Sequence, residues 1–239
     1  MSFLGSLLGA QNRVRPLDAP SAAAIARWQA LAPVDLRAPL STQNWLVVDV
    51  ETTGLDTRRD HLLAIGAVLI KGKSICIEHS FEVVLKQATA SRTDNILIHR
   101  IGGNEQIDGV DAAVALTALL GCVQKLPCVA FHAPFDKAML KRAFDEHLGI
   151  DFSPPFIDLA LLSPALCGDA PAGMQSLDEW VGHFHIVIGA RHRAVADALG
   201  TAQLFQVLLQ RAAAQNIETA EALFKIAEDQ RWLSNARRT

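Results

Sequence analysis

The chain has 239 residues, half of them hydrophobic and a fifth charged, with a formal net charge of −3. Such a composition supports a packed core and excludes wholesale disorder. The slight negative balance argues against a protein that grips long duplex nucleic acid through many phosphates, but not against one that holds a few nucleotides in a cleft.

Residues 1–40 read as an N-terminal extension. It contains one short helix, SAAAIARWQALAP (21–33), with Ser21 at its cap, Ile25, Trp28 and Ala32 on one face, and Pro33 as its stop. The main domain follows over 41–214. WLVVDV (45–50), LLAIGAVLI (62–70) and SICIEHSFEVVL (74–85) alternate or run apolar like strands, and the links TTGLD (52–56) and KGK (71–73) are short. Three strands so joined predict an antiparallel meander. A helix is expected near 111–124 from the stripe Ala112, Leu116, Leu119 and Leu120, then a buried strand over 127–131. Leu140, Phe144 and Leu148 predict a helix over 136–149 that Gly149 ends. PFIDLALL (155–162) starts as a strand and turns helical, and 163–175 is Pro, Gly and Ala rich and reads as a loop. A helix capped by Ser176 covers 176–184, and a long Ala/Leu helix covers 194–213. The last segment, 215–239, carries a helix through Phe224 and Ala227 that packs on the domain. Strands followed by alternating helix and strand define an α/β domain with a mixed sheet.

No run approaches the ~18 apolar residues of a membrane span, and the apolar start MSFLGSLLGA lacks a basic n-region. Cys76, Cys122, Cys128 and Cys167 form no C-x-x-C pair and read as reduced, mostly buried thiols. A cytoplasmic protein with no membrane partner is expected.

The chemistry starts in WLVVDVETTG (45–54). Residues two apart on a strand share a face, so Asp49 and Glu51 converge about 7 Å apart while Val48 and Val50 point the other way. Desolvation sharpens their repulsion, and the next basic residues, Arg58 and Arg59, lie beyond a turn. A divalent cation with hard oxygen ligands offsets that repulsion. The alternative is a pair on a solvated edge, which the apolar WLVV run disfavours. Asp136 follows CVAFHAPF at a strand–helix junction, either as an ordinary helix cap or as a third acid near the strand ends. Asp197 borders the apolar face of the long helix, either as a surface acid favoured by the helix dipole or as a fourth ligand. His192, five residues earlier, offers a neutral imidazole that can take a proton from water. His183 and His185, with His192, raise a zinc alternative that lacks further ligands at useful spacing.

DVETTGL (49–55), HAPFD (132–136) and HRAVADA (192–198), in that order, resemble the three motifs of the DEDDh exonuclease family. That family includes the proofreading subunit of bacterial DNA polymerase III and ribonuclease T, on a ribonuclease-H-like fold. The resemblance covers residues 45–210 and implies a ribonuclease-H-like mixed sheet, an antiparallel meander plus parallel strands, flanked by helices. It assigns Asp49, Glu51, Asp136 and Asp197 as ligands of two divalent cations, Mg²⁺ or Mn²⁺, and His192 as general base. The absence of Tyr fits the His variant of the family.

The implied activity is 3′–5′ hydrolysis of single-stranded nucleic-acid ends, DNA before RNA, releasing nucleoside 5′-monophosphates. Thr52, Thr53 and Leu55, with His132 and Phe135, fall where the terminal nucleotide is expected. Two positions depart from the family: Phe131 and His132 stand where His and Asn are usual, and IHRIGG (98–103) replaces the usual Gly and Thr by Arg100 and Gly102. Implied partners are a 3′ end, with a DNA polymerase or a second copy as candidate protein partner. Two alternatives stand beside this one: a non-catalytic interaction module associated with a polymerase, and an RNA-trimming exoribonuclease of the same family.

Overall fold

The computed structural model describes residues 17–189 and 191–236; the apolar start MSFLGSLLGA lies outside the described residues. At its centre is a five-stranded sheet in the order β3-β2-β1-β4-β5. β1 (Asn44–Thr52), β2 (Leu62–Lys71) and β3 (Ser74–Val84) form the antiparallel meander that the short links predict. The three-residue strands β4 (Cys128–Ala130) and β5 (Phe156–Asp158) extend the sheet in parallel on the other side of β1.

Alternation along β1 divides the core in two. Leu46, Val48 and Val50 face a layer built by α1 (Ala19–Ala30), α4 (Ala112–Val123) and α5 (Ala133–Leu148). Trp45 and Val47 face a second layer built by α6 (Leu159–Leu166), α7 (Leu177–His183), α8 (Ala194–Ala214) and α9 (Ala220–Ala236). The Trp45 ring meets Phe205 of α8 edge-on at 4.9 Å and stacks on Phe224 of α9 at 6.4 Å. These contacts hold both helices to the central strand. Two short helices, α2 (Thr93–His99) and α3 (Gly103–Ile107), fill the link from β3 to α4. Among the described residues, no helix is long and apolar enough to cross a membrane.

Several local expectations need correction. Asp18, not Ser21, caps α1: its Oδ1 accepts the Ser21 N–H at 2.7 Å, Pro20 lies in the first turn, and Ser21 is buried. A proline at the start of a helix costs no hydrogen bond, so the helix begins before the Ala run. For the same reason α5 starts at Ala133, with Pro134 in its first turn and His132 at the N-cap. Asp136 is therefore not a cap. The first part of the expected 163–175 loop is helical, because α6 runs through Pro164 to Leu166. Ser176 does cap α7, in a reciprocal box with Glu179.

Candidate active site

Asp49 and Glu51 continue the face of β1 that carries Trp45 and Val47, at the carboxyl end of the strand. α8 meets that face with its N-terminus. Gly66 of β2 lies directly across from Asp49, and a side chain there would fall inside the backbone of Ala194 and Val195. The bare backbone at Gly66 thus admits the first turn of α8 and brings Asp197 down beside the pair. One carboxylate oxygen each from Asp49, Glu51 and Asp197 lies within 4.8 Å of the other two. Glu51 and Asp197 are buried; Asp49 keeps partial access to solvent.

Asp136 arrives from the opposite layer. It is buried in the first turn of α5, and its Oδ1 accepts the Val50 N–H at 3.1 Å. It stands outside the three-carboxylate group, yet its charge acts on Asp49. Burial, then the charges of Asp136, Glu51 and Asp197, push the Asp49 carboxyl well above the usual carboxylate range, with Arg191 pulling it back. Burial pushes Asp136 up to about 8 despite the Val50 hydrogen bond. Burial also raises Asp197, and the Arg191 guanidinium opposes it. Such a set resists ionisation unless a cation joins it. Glu51 Oε1 is buried without a hydrogen-bond partner, so an acceptor stands ready for one. Hard oxygen donors of this kind suit Mg²⁺ or Mn²⁺.

The protein's own nitrogen-bearing side chains reach only part of the cluster. His99 at the end of α2 places Nδ1 against Glu51 Oε2. Arg191 pairs through Nη1 with Asp197 Oδ1 and through Nε with Asp178 Oδ1 at 2.6 Å. His192 is exposed, has a left-handed φ of 65°, and donates its backbone N–H to Asp197 Oδ2 at 3.1 Å. The zinc alternative fails. The His183 ring packs on Phe184 at 4.7 Å and His185 is exposed, while the carboxylates form the metal-capable group found among the described residues.

The turn after β1 is braced internally. Thr52 Oγ1 donates to Gly54 O at 2.7 Å, and Thr53 Oγ1 donates to Asp60 Oδ1 at 2.9 Å while accepting the His61 N–H. Asp60 Oδ2 accepts the Asp56 N–H, and Arg142 of α5 grips the carbonyls of Thr57 and Asp60. Both threonine hydroxyls are thus engaged in shaping the turn, and Leu55 stands 85 % exposed at its tip. His132, also exposed, has a left-handed φ of 60°, and its N–H donates to Asp158 Oδ1 at 2.9 Å. Phe135 packs against the core of the α4/α5 layer. Arg100 is exposed at the C-cap of α2 with a φ of 56°.

Sequence reasoning missed His99, Arg191, Asp60 and Arg142. His99 lay in the IHRIGG stretch, next to the Arg100 that drew attention, and Arg191 immediately precedes His192. Neither carried a signal, because the approach of α2 to β1, or of the α7–α8 link to α8, sets its partner.

A mixed sheet in this order, with acids gathered at the carboxyl end of its central strand, defines a ribonuclease-H-like α/β fold with a candidate metal site. Residues 46–205 match the RNase_T exonuclease family model, and the chain belongs to that family. It is 32% identical over 167 residues to the PolC-type DNA polymerase III of Thermotoga maritima, covering 67% of this chain and 11% of that protein. It is 29% identical over 197 residues to the DNA polymerase III subunit epsilon-like protein of Rhodobacter capsulatus, covering 77% and 26%. The chain therefore spans a tenth to a quarter of the length of these relatives. Its fold is shared with E. coli exonuclease I in complex with a dT13 oligonucleotide (TM-score 0.63, 17% identity, 73% of this chain and 42% of that one). It is shared too with exonuclease X in complex with 5′-overhanging duplex DNA (TM-score 0.61, 19% identity, 77% and 99%).

Proposed function

We propose that the chain is a metal-dependent 3′–5′ exonuclease that removes nucleoside 5′-monophosphates from single-stranded ends, DNA in preference to RNA. The observation that carries this reading is the convergence of Asp49, Glu51 and Asp197, with buried Glu51 Oε1 lacking a partner and Asp136 alongside. The four acids would hold Mg²⁺ or Mn²⁺, two ions in this reading; when bound, such ions neutralise charge on the attacking and leaving oxygens of an in-line displacement. His192, exposed next to Asp197, takes the proton of the attacking water. The braced turn presents Gly54 and the exposed Leu55, and Leu55 packs on the terminal base. His132, exposed at the start of α5, contributes on the substrate side. Oligonucleotide bound to exonuclease I, and the polymerase III relatives, favour DNA as substrate and a polymerase as partner. The four unpaired thiols favour a reducing, cytoplasmic setting.

The test uses end-labelled DNA and RNA oligonucleotides of one sequence, with free and blocked 3′ ends, in Mg²⁺ or Mn²⁺. Mononucleotides should appear from free 3′ ends, faster from DNA. Asp49→Ala should lower the rate more than about a hundredfold while leaving the protein folded, since it relieves repulsion among the acids. Undiminished turnover in Asp49→Ala, or equal release from blocked ends, would overturn the assignment.

A further inference from the structure

Among the described residues, Arg191 is the Lys or Arg side chain ion-paired with the acid cluster. We propose that Arg191 is the resident counter-cation of the metal site: its guanidinium occupies Asp197 in the metal-free protein, withdraws onto Asp178 when a divalent ion binds, and so sets the site's metal affinity. The proposal rests on the reading of the acids as a cation site.

Asp197 has a donor on each oxygen. Oδ2 takes the His192 backbone N–H at 3.1 Å, a bond fixed by the start of α8. Oδ1 takes Arg191 Nη1, which belongs to a movable side chain. An incoming ion that claims Asp197 displaces the second donor rather than the first. Arg191 has somewhere to go, because its Nε already holds Asp178 Oδ1 at 2.6 Å. Asp178 sits in the first turn of α7 with a side chain 64% exposed, so its other oxygen can accept the freed N–H of the planar fork. Arg191 is itself 27% exposed, and water can solvate what the acid does not. A guanidinium keeps its proton at any working pH, so this competitor is always present. It also offsets part of the repulsion at Asp197 before metal arrives.

Mn²⁺ binding by calorimetry and by the electron paramagnetic resonance of free Mn²⁺, together with thermal midpoints in EDTA and in saturating Mn²⁺, tests this without reference to turnover. Arg191→Gln should bind Mn²⁺ about tenfold more tightly, the worth of one charge-assisted hydrogen bond no longer broken. Its midpoint should fall in EDTA and match the wild type in Mn²⁺. Arg191→Lys keeps the charge but cannot bridge both aspartates; it should bind Mn²⁺ with intermediate affinity, whereas an effect of charge at a distance would leave it like the wild type. Unchanged or weakened Mn²⁺ affinity in both variants overturns the counter-cation role and leaves the cation site standing. A wild-type protein that takes up no Mn²⁺ overturns both.

Discussion

Asp136 sits where a helix cap is expected, yet its carboxyl is turned into the fold and pushed up to about 8 by burial. Asp49 is raised as well, by burial and by its acidic neighbours. Between the ordinary carboxylate range and these raised values, the folded metal-free chain holds protons that the unfolded chain has lost. Its stability therefore falls as pH rises from about 5 to about 8. A divalent ion needs the ionised acids, so metal affinity rises across the same interval and uptake releases protons. Urea midpoints in EDTA should fall over that range in the wild type and fall less in Asp136→Asn, and added Mn²⁺ should remove the decline. A flat wild-type profile in EDTA would contradict the assigned shifts. His192 is a different case, because its contact with Asp197 runs through the backbone N–H. His192→Ala should therefore lose most of the turnover and keep its Mn²⁺ affinity, as calorimetry beside the oligonucleotide assay would show. Loss of Mn²⁺ binding in that variant would make the ring a ligand. At this scale Asp49 and Glu51 were legible, since strand alternation alone puts them on one face. Local pattern left Asp136 open between a helix cap and a third acid, because that depends on where α5 begins, and Pro134 decides that.

α8 reaches the acids only because β2 has no side chain opposite Asp49. Gly66→Ala would push a methyl group into the backbone of Ala194 and Val195, which cannot rotate away. It should cost at least about 2 kcal/mol and weaken Mn²⁺ binding by moving Asp197 off the pair. Gly200→Ala, within α8, meets only the side chain of Ile188, which can change rotamer, and alanine favours the helix. It should lose less, and comparing the two urea midpoints checks the contrast. A Gly66→Ala protein as stable as the wild type would mean that α8 is not held by this contact. The meander, the long α8 and the Ser176 cap all had local signatures. α2 and α3 had none: they span seven and five residues, and Leu97 and Ile98 of α2 point apolar side chains at solvent. Helices so short take their order from the elements around them, which no window of sequence records.

Across the whole molecule, the sheet separates two helical layers, and the site lies where they meet. Asp197 enters with the α8 layer and Asp136 with the α5 layer, on either side of β1. The class of fold was readable from the order of strands and helices, and the acids from their motifs. The layer each acid arrives with was not, because it follows from the parallel addition of β4 beside β1. The polymerase III relatives are far longer than this chain, and the match to them covers 167 to 197 residues.

The spread of the acids along the chain bears on how the site comes into being. Asp49 and Glu51 leave the ribosome before Asp197 and Arg191, and a stretch of more than half these 239 residues lies between them. β1 can pair with β2 as soon as their hairpin leaves the ribosome, whereas α8 docks only after the late segments exist. A nascent chain at that stage thus carries the paired acids without Arg191 or the third carboxylate, Asp197. Under the proposed reading, a chain that has not yet reached α8 has no assembled site with which to cut the nucleic acid around it.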